Sequence, residues 1–268
     1  MWRRLLLIVG LVFSVGTTGC AQLLIGGLTA AQALQPISDE QEVAIGNAAL
    51  QQMLQDPNFR LYTGEALNQY VANVGVRLAK ETSRANLPWR FGIMVSPDLN
   101  AFALPGGIIV VTTGALQAMK NEAELAAVLS HEIGHVVERH GIDQLKRAMV
   151  AQGLAIAALG SSPEIAQAAG SIALQIVLNG YGREAEFEAD RFGVQLAAKD
   201  GYAPDALVGF LETIASRSGE TPGWLVPLST HPSVQQRVDT IRQIVREQKL
   251  TGSKTNTQEF KRETAPLG

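Results

Sequence analysis

Leu129-Ser130-His131-Glu132-Ile133-Gly134-His135-Val136 sets two histidines four residues apart, with a glutamate directly after the first. The run lies in a helical pattern: Asn121 is a cap, and Leu125, Val128, Leu129, Val136 and Val137 recur at core-facing spacing. Residues four apart on a helix differ by about 40° in direction and about 6 Å in height, so both imidazoles can reach one ion. Glu132 stands about 100° round, beside such an ion, where it can hold a water and take its proton. H-E-x-x-H is short enough to arise as a mere structural pair of helix histidines. Its place on a capped, apolar helix favours a buried metal site.

Composition narrows the ligands. Cys20 is the single cysteine, so a Cys-rich zinc site and an intramolecular disulfide are both excluded. The four histidines are His131, His135, His140 and His231. A catalytic zinc takes three protein ligands and keeps one position open. His140 is a poor third ligand, since a continuous helix would turn it to roughly the opposite face from His131. The acidic run Glu184-Ala185-Glu186-Phe187-Glu188-Ala189-Asp190 offers a better one. Glu186 and Asp190 share a helix face, and Glu188, about 200° away, is expected to look outward. On this reading Glu186 is the third ligand and Asp190 orients a ligand histidine by accepting its free N–H. The plainer alternative is a solvated acidic helix start favoured by the helix dipole.

Outward from the site, the pattern is mainly helical. Ser38 and Gln41 form a capping box that opens a helix to about Leu54, and a second helix runs from Glu65 to about Arg84. Strand signals cover Trp89 to Val95, Phe102 to Leu104 and Ile108 to Thr112, with a tight turn at Pro105-Gly106-Gly107. Helices follow over Ile142 to Leu159, Pro163 to Leu178, Glu184 to Lys199, Pro204 to Ser216 and Ser233 to Gln248. The fold class is therefore α+β, mainly helical, with a small sheet beside the H-E-x-x-H helix. Residues 251–268 are polar and expected to be a disordered tail.

The N-terminus reads as an address. Arg3 and Arg4 precede an apolar run from Leu5 to Phe13, then small residues up to Cys20. Residues 1–19 thus form a signal peptide of lipoprotein type, 20–37 a tether and 38–250 the metallopeptidase domain, with Cys20 as the lipidation site. An ordinary cleaved signal with an incidental cysteine is the alternative, since Thr17 stands where such signals usually carry leucine. The 22 basic and 25 acidic residues give a net charge of −3, and no basic field advertises a nucleic-acid partner.

The blocks together resemble the HtpX/CAAX-prenyl-protease family of gluzincin metallopeptidases, and within it the soluble periplasmic members of the BepA and LoiP type. The resemblance runs from about Asp39 to Arg246 through Asn100 to Gly107, His131 to Gly141, Arg183 to Asp190, and His231-Pro232 with Arg237. It implies one Zn2+ per chain on His131, His135 and Glu186, with Glu132 as general base. It implies that the strand around Phe102 or Ile108 to Val111 holds a substrate backbone by β-augmentation. It also implies that His231 approaches the zinc as a gate or transition-state stabiliser, that Arg237 lines the same cleft, and that the segment Gly153 to Leu178 moves as a lid on Gly160-Ser161-Ser162 and Gly180-Tyr181-Gly182. The expected function is a zinc endopeptidase of the periplasm, lipid-anchored to the outer membrane. It would cleave misfolded or unassembled envelope proteins and contact the outer-membrane assembly machinery. A chaperone-like assembly factor with a gated zinc site is one alternative. A purely structural zinc with His231 as fourth ligand is another.

Overall fold

Ser38 Oγ accepts the Gln41 N–H at 3.3 Å while Gln41 Oε1 accepts the Ser38 N–H at 2.9 Å, closing the expected capping box at the start of α1 (Asp39–Met53). The computed structural model describes residues 36–151, 163–217 and 233–268. The signal, Cys20, Gly160-Ser161-Ser162 and His231-Pro232 lie outside the described residues. Helix α2 (Glu65–Ala79) stops short of Arg84, where Thr82 Oγ1 donates to the Ala79 carbonyl at 2.8 Å and closes the chain into turns.

Three strands follow: β1 (Arg90–Met94), β2 (Ala101–Leu104) and β3 (Ile108–Thr112), in the order β1-β3-β2. β1 pairs with β3 in parallel, Arg90 opposite Ile108, and β2 pairs with it antiparallel, Ala101 opposite Val111. Gly106 and Gly107 make the turn between β2 and β3 with φ of 76° and 92°, a region that side chains resist. Alternation then sorts the strands between two cores. Ala103, Ile109 and Val111 join the main cluster with α2, and Phe102, Leu104, Ile108 and Val110 join a second with Ala49 and Met53 of α1. The Thr112 N–H reaches the Asn100 carbonyl at 2.9 Å, so the backbone polar groups of Ala101 and Ala103 turn away from β3 toward the open edge of β2.

The remaining elements are α3 (Thr113–Ala118), α4 (Glu122–Val137), α5 (His140–Ala151), α6 (Pro163–Asn179), α7 (Arg183–Lys199), α8 (Ala206–Arg217), α9 (Val234–Glu247) and α10 (Thr257–Thr264). Helix α4 is apolar almost all round and is buried from Glu122 to Val136, in the middle of the main core. Among the described residues no helix is long and apolar enough to cross a membrane.

The C-terminal segment differs from the expected disordered tail. Residues Thr257–Thr264 form α10, and Phe260 is only 2% exposed. Asn256 Nδ2 donates to the buried Glu122 Oε1 at 2.7 Å, and Tyr70 and Tyr202 donate their hydroxyls to the same carboxylate. A polar composition hides this anchoring, because one aromatic side chain and one amide suffice to hold the segment.

Phe260→Ala should lower the unfolding free energy by about 3–5 kcal/mol in urea titration, the usual loss for a buried phenylalanine. No change would mean that the segment contributes nothing to the core. The hydrogen bonds to Glu122 also carry a pH signature. Burial, then the bond to Glu122, raises both Tyr70 and Tyr202 above their ordinary value of 10.0. Groups raised on folding stabilise fully below the unfolded value and lose that contribution as pH rises through the folded one. The denaturation midpoint should therefore fall above about pH 10, and Tyr202→Phe should flatten that fall.

Candidate metal centre

Helix α4 opens at Asn121, whose side chain accepts the Glu124 N–H at 3.1 Å, and from there carries His131 and His135 on one face. Their Nε2 atoms lie 3.1 Å apart. Helix α7 crosses α4 through small residues. A Cβ at Gly193 would stand 2.8 Å from the backbone nitrogen of His131, and one at Gly134 would stand 3.3 Å from the Cα of Ala189. That approach delivers Glu186: its Oε1 is 3.6 Å from His135 Nε2 and its Oε2 is 3.7 Å from His131 Nε2. The donor atoms of His131, His135 and Glu186 all lie within 4.8 Å of one another, and all three residues are buried.

Two imidazole nitrogens and a carboxylate oxygen turned inward on one point suit a divalent cation of borderline softness. Burial, first of all, holds His135 well below its ordinary value, so it is neutral, as a ligand must be. Asp190, fully buried one turn beyond Glu186, lies 3.0 Å from His131 Nδ1. Burial, the largest influence, pulls His131 down, but the bond to Asp190 and the charges of Asp190 and Glu186 together leave it raised. Arg237 on α9 grips Asp190 with two bonds, Nε to Oδ2 at 2.8 Å and Nη2 to Oδ1 at 2.6 Å, and its Nη1 is 3.2 Å from Glu186 Oε2. Burial opposes ionisation of Asp190, yet Arg237 and His131 together hold it well below the usual carboxylate range. Glu132, beside the two histidines, is pushed up to about 7, by burial above all.

The structure therefore brings together His131, Glu132, His135, Glu186, Asp190 and Arg237. Glu188 points outward, with its side chain 54% exposed. His231 lies outside the described residues.

His140 is a correction. The helix does not continue through it: Arg139 takes a left-handed φ of 59°, and α5 starts afresh at His140. His140 Nδ1 thereby comes 2.9 Å from His135 Nδ1, against the expectation that it faces away. Arg139 holds the break through Glu42, at 2.9 Å, and the carbonyl of Ile37 at 2.5 Å. No glycine marks that position, so local sequence carries no sign of it. Tyr181, in the sequence only part of a hinge, also reaches the site. Its ring lies 4.3 Å from that of His135, and its hydroxyl donates to the Ala103 carbonyl at 2.8 Å.

The profile of Peptidase family M48 matches residues 65–245, a stretch that contains all the site residues above. The chain belongs to that family. Membership implies a metal cofactor, and the buried His/His/Glu set fits one. The chain is 33% identical over 239 residues to the beta-barrel assembly-enhancing protease of Yersinia pestis, covering 81% of this chain and 48% of that protein. It is 31% identical over 215 residues to metalloprotease YcaL of Escherichia coli, covering 77% of this chain and 80% of the relative. It is 30% identical over 198 residues to the mitochondrial metalloendopeptidase OMA1 of Schizosaccharomyces pombe, covering 74% and 58%. The chain spans about half the length of the beta-barrel assembly-enhancing proteases it matches.

Because Gly193 has no room for a Cβ, Gly193→Ala should push α7 off α4 and displace Glu186 and Asp190. Zinc affinity, measured by competition with a chromophoric chelator, should weaken by about tenfold or more, as when ligand orientation is lost. Unchanged affinity would show that the helix spacing does not set the site.

Proposed function

We propose that the chain is a zinc endopeptidase, with zinc on His131, His135 and Glu186 and Glu132 as general base. The convergence of those three buried donors beside the buried carboxyl of Glu132 supports this reading most directly. A bound zinc ion would supply a Lewis acid that polarises the scissile carbonyl and acidifies water. Glu132 takes a proton from the water as its oxygen bonds to the carbonyl carbon. It then returns that proton to the departing amine nitrogen as the C–N bond breaks. A carboxyl held near 7 by burial exchanges protons readily at neutral pH. Asp190, locked by Arg237, fixes the ring of His131. The substrate backbone docks in extended form on the edge of β2, where the backbone groups of Ala101 and Ala103 face away from β3 and an incoming strand displaces the Tyr181 hydroxyl from the Ala103 carbonyl.

The substrates in this reading are misfolded or unassembled envelope proteins, and the compartment is the periplasm, with Cys20 lipidated and the outer membrane as anchor. The signal-like N-terminus and the similarity to the beta-barrel assembly-enhancing proteases support it. A gated, rarely active site serving a chaperone-like role in outer-membrane assembly draws on a different observation. Tyr181 covers His135 and occupies the Ala103 carbonyl that an incoming strand would use.

Glu132→Gln in the purified full chain should keep one zinc and lose nearly all cleavage of unfolded casein. Cleavage at the wild-type rate by that variant would remove Glu132 from the chemistry. If the wild type binds zinc and cleaves nothing, while Glu132→Gln still rescues an envelope defect in cells, the gated reading takes its place.

A further inference from the structure

The two ligand histidines are braced differently. The outer nitrogen of His131 meets a carboxylate directly, Asp190 at 3.0 Å. The outer nitrogen of His135 meets another imidazole, His140, at 2.9 Å, and the far nitrogen of His140 lies 3.3 Å from Glu188 Oε2. We propose that His140 and Glu188 are positioning residues for His135, a His–His–Glu chain that fixes the tautomer and ring angle of the second metal-ligating histidine. This inference rests on the metal reading above.

One placement of protons satisfies the whole chain. With His135 Nε2 turned toward His131 and Glu186, its proton must sit on Nδ1 and point to His140. His140 Nδ1 must then be the bare acceptor, which puts its own proton on Nε2, facing the carboxylate of Glu188. The backbone shows the cost of this arrangement. The left-handed Arg139, held by Glu42 and the Ile37 carbonyl, breaks the helix just where His140 is needed. Tyr181 closes one face of the His135 ring, with centroids 4.3 Å apart and the planes tilted by 31°, so the ring is held by packing as well as by its outer nitrogen. Glu188, which on helical geometry faces away from the metal, thus reaches the site through a second ring.

The test compares the full chain with His140→Leu, His140→Asn and Glu188→Gln. Zinc affinity is read by chelator competition, and the visible spectrum of the cobalt-substituted protein reports the ligand geometry. His140→Leu removes the acceptor and should weaken zinc binding by about tenfold to a hundredfold, the range for loss of such a partner, with a shifted cobalt band. His140→Asn places an amide oxygen where Nδ1 stood and should restore most of the affinity and the wild-type band. Glu188→Gln, at the exposed end, should give a loss of a few-fold. Wild-type affinity and spectrum in His140→Leu would overturn the inference. So would an equal deficit in Leu and Asn variants, accompanied by an equal fall in the melting temperature of the metal-free proteins, since that marks a merely structural role. If the wild type itself takes no zinc, the metal reading falls together with this one, and the two failures are told apart.

Discussion

The close approach of α7 to α4 determines what the candidate metal centre can be. Gly193 lies against the backbone of His131, and Ala189 and Phe192 lie against Gly134, so the two helices approach closely at their glycines. At this separation a glutamate on α7 spans the gap to two histidines on α4, and an aspartate one turn further on reaches the back of one ring. At an ordinary helix spacing of about 8–10 Å, set by larger side chains, those carboxylates would fall short.

Charge explains why such a site is tolerable in a core. Glu132, Glu186 and Asp190 are buried, and among the described residues Arg237 is a permanent cation paired with Glu186 and Asp190. Isolated, each carboxylate would cost several kcal/mol to bury. Arg237 offsets Asp190 most fully through two bonds, and burial drives Glu132 toward its neutral form. The carboxylate of Glu186 is shared between Arg237 and the two ring nitrogens, a surplus of negative charge that suits a divalent cation.

In the proposed function the sheet is the second half of the site. β3 is buried on both faces and fixes the register, while β2 stays at the edge and turns the backbone polar groups of Ala101 and Ala103 away from β3. Tyr181 joins the halves, packing against His135 and donating to the Ala103 carbonyl. Glu42 does similar work behind them. It receives the Gly106 N–H at 3.0 Å and binds both Arg84 and Arg139, so the turn after β2, helix α1 and the end of α4 share one buried carboxylate.

Much of this was legible in the chain because it follows from short-range rules. Caps at Ser38 and Asn121, the Pro-Gly-Gly turn, and the spacing of His131, His135, Glu186 and Asp190 are periodic or local, and each stands where its pattern puts it. The proximity of His140 to His135, the cover provided by Tyr181 and the docking of Phe260 were not legible. Each depends on a contact between segments distant along the chain, or on a backbone angle that an arginine adopts only because Glu42 and Ile37 hold it there. Local propensity states what a helix presents; only packing decides where it stops and what its ends then touch.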